Sequence, residues 1–88
     1  MKLIIAITRD EDSKGLTETL IAEEYRVTRI ASTGGFLRRG MTTMMIGIED
    51  GKVDDVIDIV RGNCAADSDP NTRCTTLFVL NVDQFEQV

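Results

Sequence analysis

Apolar positions along the chain change period several times, and each change marks an element. Residues 2–8, KLIIAIT, form a short apolar run rich in β-branched side chains, which predicts a buried strand. RDEDSKG interrupts it, with Asp10 or Asp12 in place to cap a helix. In residues 13–24, Leu16, Leu20 and Ile21 recur at helical spacing with acids on the other side, although Gly15 weakens the first turn. Residues 25–32, YRVTRIAS, alternate: Tyr25, Val27, Arg29 and Ala31 fall on one face, and Arg26, Thr28, Ile30 and Ser32 on the other. Residues 41–49, MTTMMIGIE, read as a third strand, in which Gly47 implies a bulge or a close approach by another backbone or a ligand. Val53, Val56, Ile57 and Val60 follow the i, i+3, i+4, i+7 pattern of an amphipathic helix over 52–62, closed by Gly62. A polar loop, 63–73, holds the only proline, and residues 74–82, CTTLFVLNV, supply a fourth strand.

The order β-α-β-β-α-β, with no linker or low-complexity stretch, predicts an α+β ferredoxin-like sandwich. It would be a single domain over 1–88 with a four-stranded antiparallel sheet and two helices on one face. Two helices cover one side of such a sheet. The runs 3–7 and 77–80 are too continuously apolar for strands wet on one side, which points to a subunit interface on the second face. At 88 residues a lone domain buries only about 60% of its unfolded surface, so oligomerisation would help it.

Composition narrows the chemistry. The formal net charge of -5 argues against a protein that coats nucleic-acid polymers, although a local basic patch can still hold a small anion. The chain has no histidine, and so lacks the commonest general base and metal ligand; nothing sets a base beside a nucleophile, and no enzyme activity is expected. The run LIIAI is too short for a membrane span and MK is a thin signal-peptide start, which together predict a cytoplasmic protein. Cys64 and Cys74 read as reduced structural thiols in that setting, with a redox-linked pair closing the intervening loop as the alternative. The acids Glu49, Asp50, Asp54, Asp55 and Asp58 read as a solvated helix face, and DSDPN lacks the later glycine and glutamate of a calcium loop, so no metal is expected.

The segment STGGFLRRG, 32–40, is the most unusual stretch. Glycines at 34 and 35 let backbone N–H groups approach an anion, Ser32 and Thr33 add hydroxyl donors, and Arg38 and Arg39 add charge suited to phosphate. Phe36 on such a loop suits stacking on a base. This composition fits a nucleotide, but it lacks Walker A spacing, and a plain hairpin tip is equally compatible with it.

MKLIIAI, YRVTRIASTGGFLRRGMTTMMIG and TLFVLNVDQFEQV together resemble the cyclic-di-AMP receptor proteins, PII-like signalling proteins of bacteria. The resemblance implies a homotrimer of ferredoxin-like subunits that binds cyclic di-AMP in clefts between neighbours and relays binding through loop conformation to a protein target the sequence does not name. It implies no cofactor and no catalysis. By the same resemblance Arg26 and Thr28 would contact the ligand from the second strand. Gly35, Phe36 and Leu37 would lie on the loop that covers an adenine, with Thr33 and Gly34 beside them as further ligand-binding positions. A side chain at Gly47 would intrude on the ligand, and Phe78 and Gln87 would contribute from the last strand and the C-terminal segment. The chain departs from the pattern in two places. Met41 stands where the family has Asn, and the loop before the last strand is short, with Arg73 and Cys74 at positions of a Gly-Gly pair. These departures leave open a trimer for another adenine nucleotide, ATP or AMP, and a ligand-free interaction scaffold.

Overall fold

A computed structural model describes residues 1–30, 40–64 and 74–88. Strand β1, Lys2–Arg9, is followed by helix α1, Asp10–Ala22, and strand β2, Arg26–Ile30. Strand β3, Met41–Ile48, leads through a 3-10 turn, Asp50–Lys52, into helix α2, Val53–Gly62, and strand β4, Thr75–Asn81. The sheet order is β2-β3-β1-β4, antiparallel throughout. This is the α+β ferredoxin-like arrangement expected from the pattern.

Directly opposed residues of an antiparallel pair share a face. The register therefore puts Ile4, Ala6 and Thr8 of β1 with Thr42, Met44 and Ile46 of β3 on one side of the sheet. Both helices pack on that side. Ile4, Ala6, Leu16, Leu20, Met44, Ile46 and Val56 are between 0% and 1% exposed and form the core.

Helix α1 starts three residues before the periodicity suggests. Asp10 and Asp12 do not cap it: its N-cap is Arg9, without a side-chain cap bond, and Asp10, Glu11 and Asp12 fill the first turn, where the positive end of the helix favours carboxylates. The early start is fixed from outside the helix, since the Asp10 amide donates to the Gly40 carbonyl at 2.8 Å and the Thr42 hydroxyl donates to the Asp10 carboxylate. Ile21, grouped by spacing with Leu16 and Leu20, is 58% exposed and lies off the core.

Two glycines have reasons in the structure. Gly15 faces the end of α2, and a Cβ there would stand 3.4 Å from Asn63 Oδ1, so the small residue lets the two helices approach. Gly40 has φ +83°, the left-handed conformation that suits glycine at the entry to β3. Glu24 takes the same region, with φ 67°, at the end of α1. Its amide donates to Ile21 O at 2.9 Å and that of Tyr25 to Leu20 O at 2.9 Å, the double bond of a Schellman stop.

Cys64 and Cys74 are joined by a disulfide, with Cα atoms 5.7 Å apart. The expectation of reduced thiols is therefore corrected. The antiparallel sheet and α2 return the chain so that the end of α2 meets the start of β4, a proximity that spacing alone does not reveal.

Candidate functional site

The face of the sheet without helices is built of three rows that run across all four strands. Arg26, Gly47, Leu3 and Leu80 form the first, Thr28, Met45, Ile5 and Phe78 the second, and Ile30, Thr43, Ile7 and Thr76 the third. The alternation in residues 25–32 thus places Arg26 and Thr28 as expected, side by side on one face of edge strand β2. Arg29, on the opposite face, donates to Ser13 Oγ of α1 at 3.3 Å and is tied into the scaffold.

Four of the sequence-predicted site residues lie on this open face: Arg26, Thr28, Gly47 and Phe78. Arg26 lies directly across from Gly47. Phe78 is on β4, at the far edge, and 52% exposed. Three strand spacings of roughly 4.8 Å separate it from Thr28, about 14 Å in all. Within one chain the cationic and aromatic parts of the candidate site therefore occupy opposite edges, with the apolar side chains of Leu3, Ile5 and Met45 between them. Gln87 lies in the exposed C-terminal segment, outside any element. Thr33, Gly34, Gly35, Phe36 and Leu37 fall outside the described residues.

Gly47 makes no bulge, since the register runs through it without a break from both neighbouring strands. Among the described residues a Cβ added there would meet only Met1 Cε, at 3.6 Å, an ordinary contact. Packing among the described residues does not demand glycine at this position. Gly inside a strand costs about 0.5–1 kcal/mol relative to Ala, so its use here suits a site that needs open space above the backbone.

Thr43, in the third row, is 6% exposed, and its hydroxyl has no hydrogen-bond partner among the described residues. Sequence reasoning did not single it out, although the strand alternation that places Gly47 also places Thr43. Met41, the departure from the expected amide, opens β3 on the same face, opposite Arg9.

At the Arg26 end, a cleft of about 540 Å³ also takes in Gly47, Tyr25, Lys52 and Asp55. Its other walls include Glu23, Glu24 and Glu49, which offset the two cations and make this rim a poor anion pocket in isolation. The Tyr25 hydroxyl donates to the Asp55 carboxylate. That bond, aided by burial and by the nearby charge, pushes the Tyr25 pKa up to about 12. Other acids of the turn and α2 are also engaged: Asp50 with the Met1 amino group at 2.9 Å, which holds its carboxyl below its ordinary range, and Asp58 with Arg61 at 3.6 Å. Among the described residues no group of three His, Cys, Asp or Glu side chains is arranged to hold a metal ion, and no helix is long and apolar enough to cross a membrane.

Known proteins share this architecture. A crystal structure of a functionally unknown protein from Pediococcus pentosaceus ATCC 25745 is 36% identical in sequence, matches with a TM-score of 0.79, and aligns over 99% of this chain and 96% of its own. The family model described as cyclic-di-AMP receptor matches residues 1–70, which takes in Arg26, Thr28 and Gly47 but stops before Phe78 and Gln87. With that match over most of its length, the chain belongs to the cyclic-di-AMP receptor family.

Proposed function

We propose that this protein is a PII-like signalling protein that binds cyclic di-AMP at the interfaces of a homotrimer and relays binding to a protein target through loop conformation. Family membership supports the ligand. The observation that carries the reading is Gly47: an open glycine, unexplained by packing among the described residues, directly beside Arg26 on the face without helices.

In this reading the Arg26 guanidinium meets a phosphate of the ligand, and Thr28 donates a hydroxyl hydrogen bond beside it. The backbone at Gly47 leaves room for the ligand to lie against β3. Phe78, too distant across its own sheet, serves the ligand held by a neighbouring subunit. Thr33, Gly34, Gly35, Phe36 and Leu37 close over an adenine, and Gln87 adds a polar contact from the C-terminal segment. Assembly would also cover Leu3, Ile5, Ile7 and Leu80, apolar side chains that a free subunit leaves without a helix. The protein acts by binding, with no chemical step and no cofactor.

One observation favours a second reading. Met41 puts a thioether on this face where the family has an amide donor, which suits a trimer selective for another adenine nucleotide such as ATP or AMP.

Calorimetric titration of the purified protein with cyclic di-AMP, ATP, AMP and cyclic di-GMP tests both. Cyclic di-AMP is expected to bind, and Arg26→Ala to weaken it by about tenfold or more, because hydrogen bonds to charged groups contribute about 1.5–3 kcal/mol. Binding of ATP or AMP alone selects the second reading, and no binding by any of the four leaves an interaction scaffold.

A further inference from the structure

We propose that Cys64 and Cys74 form a reversible dithiol–disulfide site that exchanges electrons with thiol partners, in which Cys64 is the sulfur attacked and Cys74 the leaving thiolate held by Arg9. The proposal is independent of nucleotide binding.

The two cysteines are unlike in their surroundings. Cys64 follows the end of α2 and is partly exposed, whereas Cys74 is 7% exposed. Cys74 is also held in place. Its carbonyl accepts the Arg9 amide at 3.3 Å and the Thr8 hydroxyl at 3.5 Å, and its Sγ lies 3.3 Å from the Arg9 Nη2 donor. The Arg9 guanidinium is oriented by Asp12 at 2.9 Å and Glu11 at 3.4 Å. A cation fixed beside a sulfur stabilises its thiolate, and a better-stabilised leaving thiolate departs faster. A cleft of about 380 Å³, walled by Ile57, Val60, Arg61 and Leu77, reaches both cysteines and gives a small thiol a path to the bond.

The exchange balances without any further reagent. A thiolate of a dithiol donor forms a bond to Cys64 Sγ, the Cys64–Cys74 bond breaks, and its electron pair leaves on Cys74 Sγ beside Arg9. The donor's second thiolate then attacks the donor sulfur of the mixed disulfide, the electron pair leaves on Cys64, and the donor departs as a disulfide. Two electrons pass from donor to protein, and the protein thiolates take up protons from solvent to the extent that they protonate. Glutathione disulfide drives the reverse reaction. The bond ties the end of α2 to the start of the strand that carries Phe78, so its state decides whether those two elements are linked.

The test equilibrates the full chain, without oxygen, across a series of reduced-to-oxidised glutathione ratios, traps free thiols by alkylation and reads the masses. The expected result is a passage from two alkylated cysteines to none within the series. Two alkylated cysteines at every ratio, or a bond that survives millimolar dithiothreitol in the folded protein, would overturn the proposal. A thioredoxin-type reductant lacking its resolving cysteine is expected to be trapped on Cys64; trapping on Cys74 contradicts the assigned direction. Arg9→Gln is expected to slow reduction by dithiothreitol several-fold, with Arg9→Lys restoring the rate. An unchanged rate in a folded Arg9→Gln chain removes Arg9 from the account.

Discussion

The two faces of the sheet obey different rules. On the helix side the central side chains have their reason inside the chain: Ile4, Met44 and Ile46 are fully buried against Leu16, Leu20 and Val56, and only the edge strand leaves a large side chain of that face, Val79, 42% exposed among the described residues. On the other side the described residues include half-exposed Phe78 and Leu80, a glycine without a neighbour that requires it, and a buried hydroxyl without a partner. Such features are costly in an isolated domain, and they become intelligible when something outside the chain completes them. The first face explains how the protein folds, and the second carries the account of what it binds.

Matched truncations on the two faces are expected to differ most. Ile46→Ala, at a fully buried position, is expected to cost about 2–5 kcal/mol of stability in chemical denaturation. Phe78→Ala, at a side chain 52% exposed, is expected to leave the fold of the subunit near wild type while weakening assembly and ligand binding. Equal losses of subunit stability would mean that the two faces are not different in kind.

Gly47→Ala sharpens the same contrast at one position. The backbone there is ordinary strand and a Cβ meets no close neighbour among the described residues, so the substitution is expected to raise stability by about 0.5–1 kcal/mol. Cyclic di-AMP affinity is expected to fall in the same protein. Parallel denaturation and calorimetry decide it, and unchanged affinity would show that the glycine is not there for a ligand.

The smallest effect concerns the rim. The Tyr25 hydroxyl holds its proton more tightly when folded, because it donates to Asp55, and its pKa rises from 10.0 to about 12. The folded value lies above the unfolded one, so this contribution is fully present below pH 10 and is lost as pH rises through 12. Wild type is therefore expected to lose slightly more stability than Tyr25→Phe between pH 10 and 12. Identical profiles would show that the bond contributes nothing.

The sequence carried the helix-covered face further than the open one. The valine spacing of α2 and the apolar run of β1 are local signals, and both elements lie where those signals point. The start of α1 was not local: a hydroxyl on Thr42 and the carbonyl of Gly40 hold Asp10, and neither is near it in sequence. Ile21 has helical spacing but points past the edge of the core. On the open face, alternation was enough to pair Arg26 with Thr28. It could not tell a bulge at Gly47 from a cleared surface, because only the register with β1 and β2 separates them. Nor could it show that Phe78 stands across the full width of the sheet from Arg26, or that Cys64 and Cys74 come within bonding range.

If Arg26 and Phe78 serve one ligand, the width of the sheet means that they come from different subunits. Arg26→Ala and Phe78→Ala proteins, each impaired alone, can be mixed, dissociated, reassembled and titrated with cyclic di-AMP. The account predicts that the mixture regains a fraction of full-affinity sites, those where an intact Arg26 of one subunit faces an intact Phe78 of the next. No recovery in a mixture shown to have exchanged subunits would contradict it.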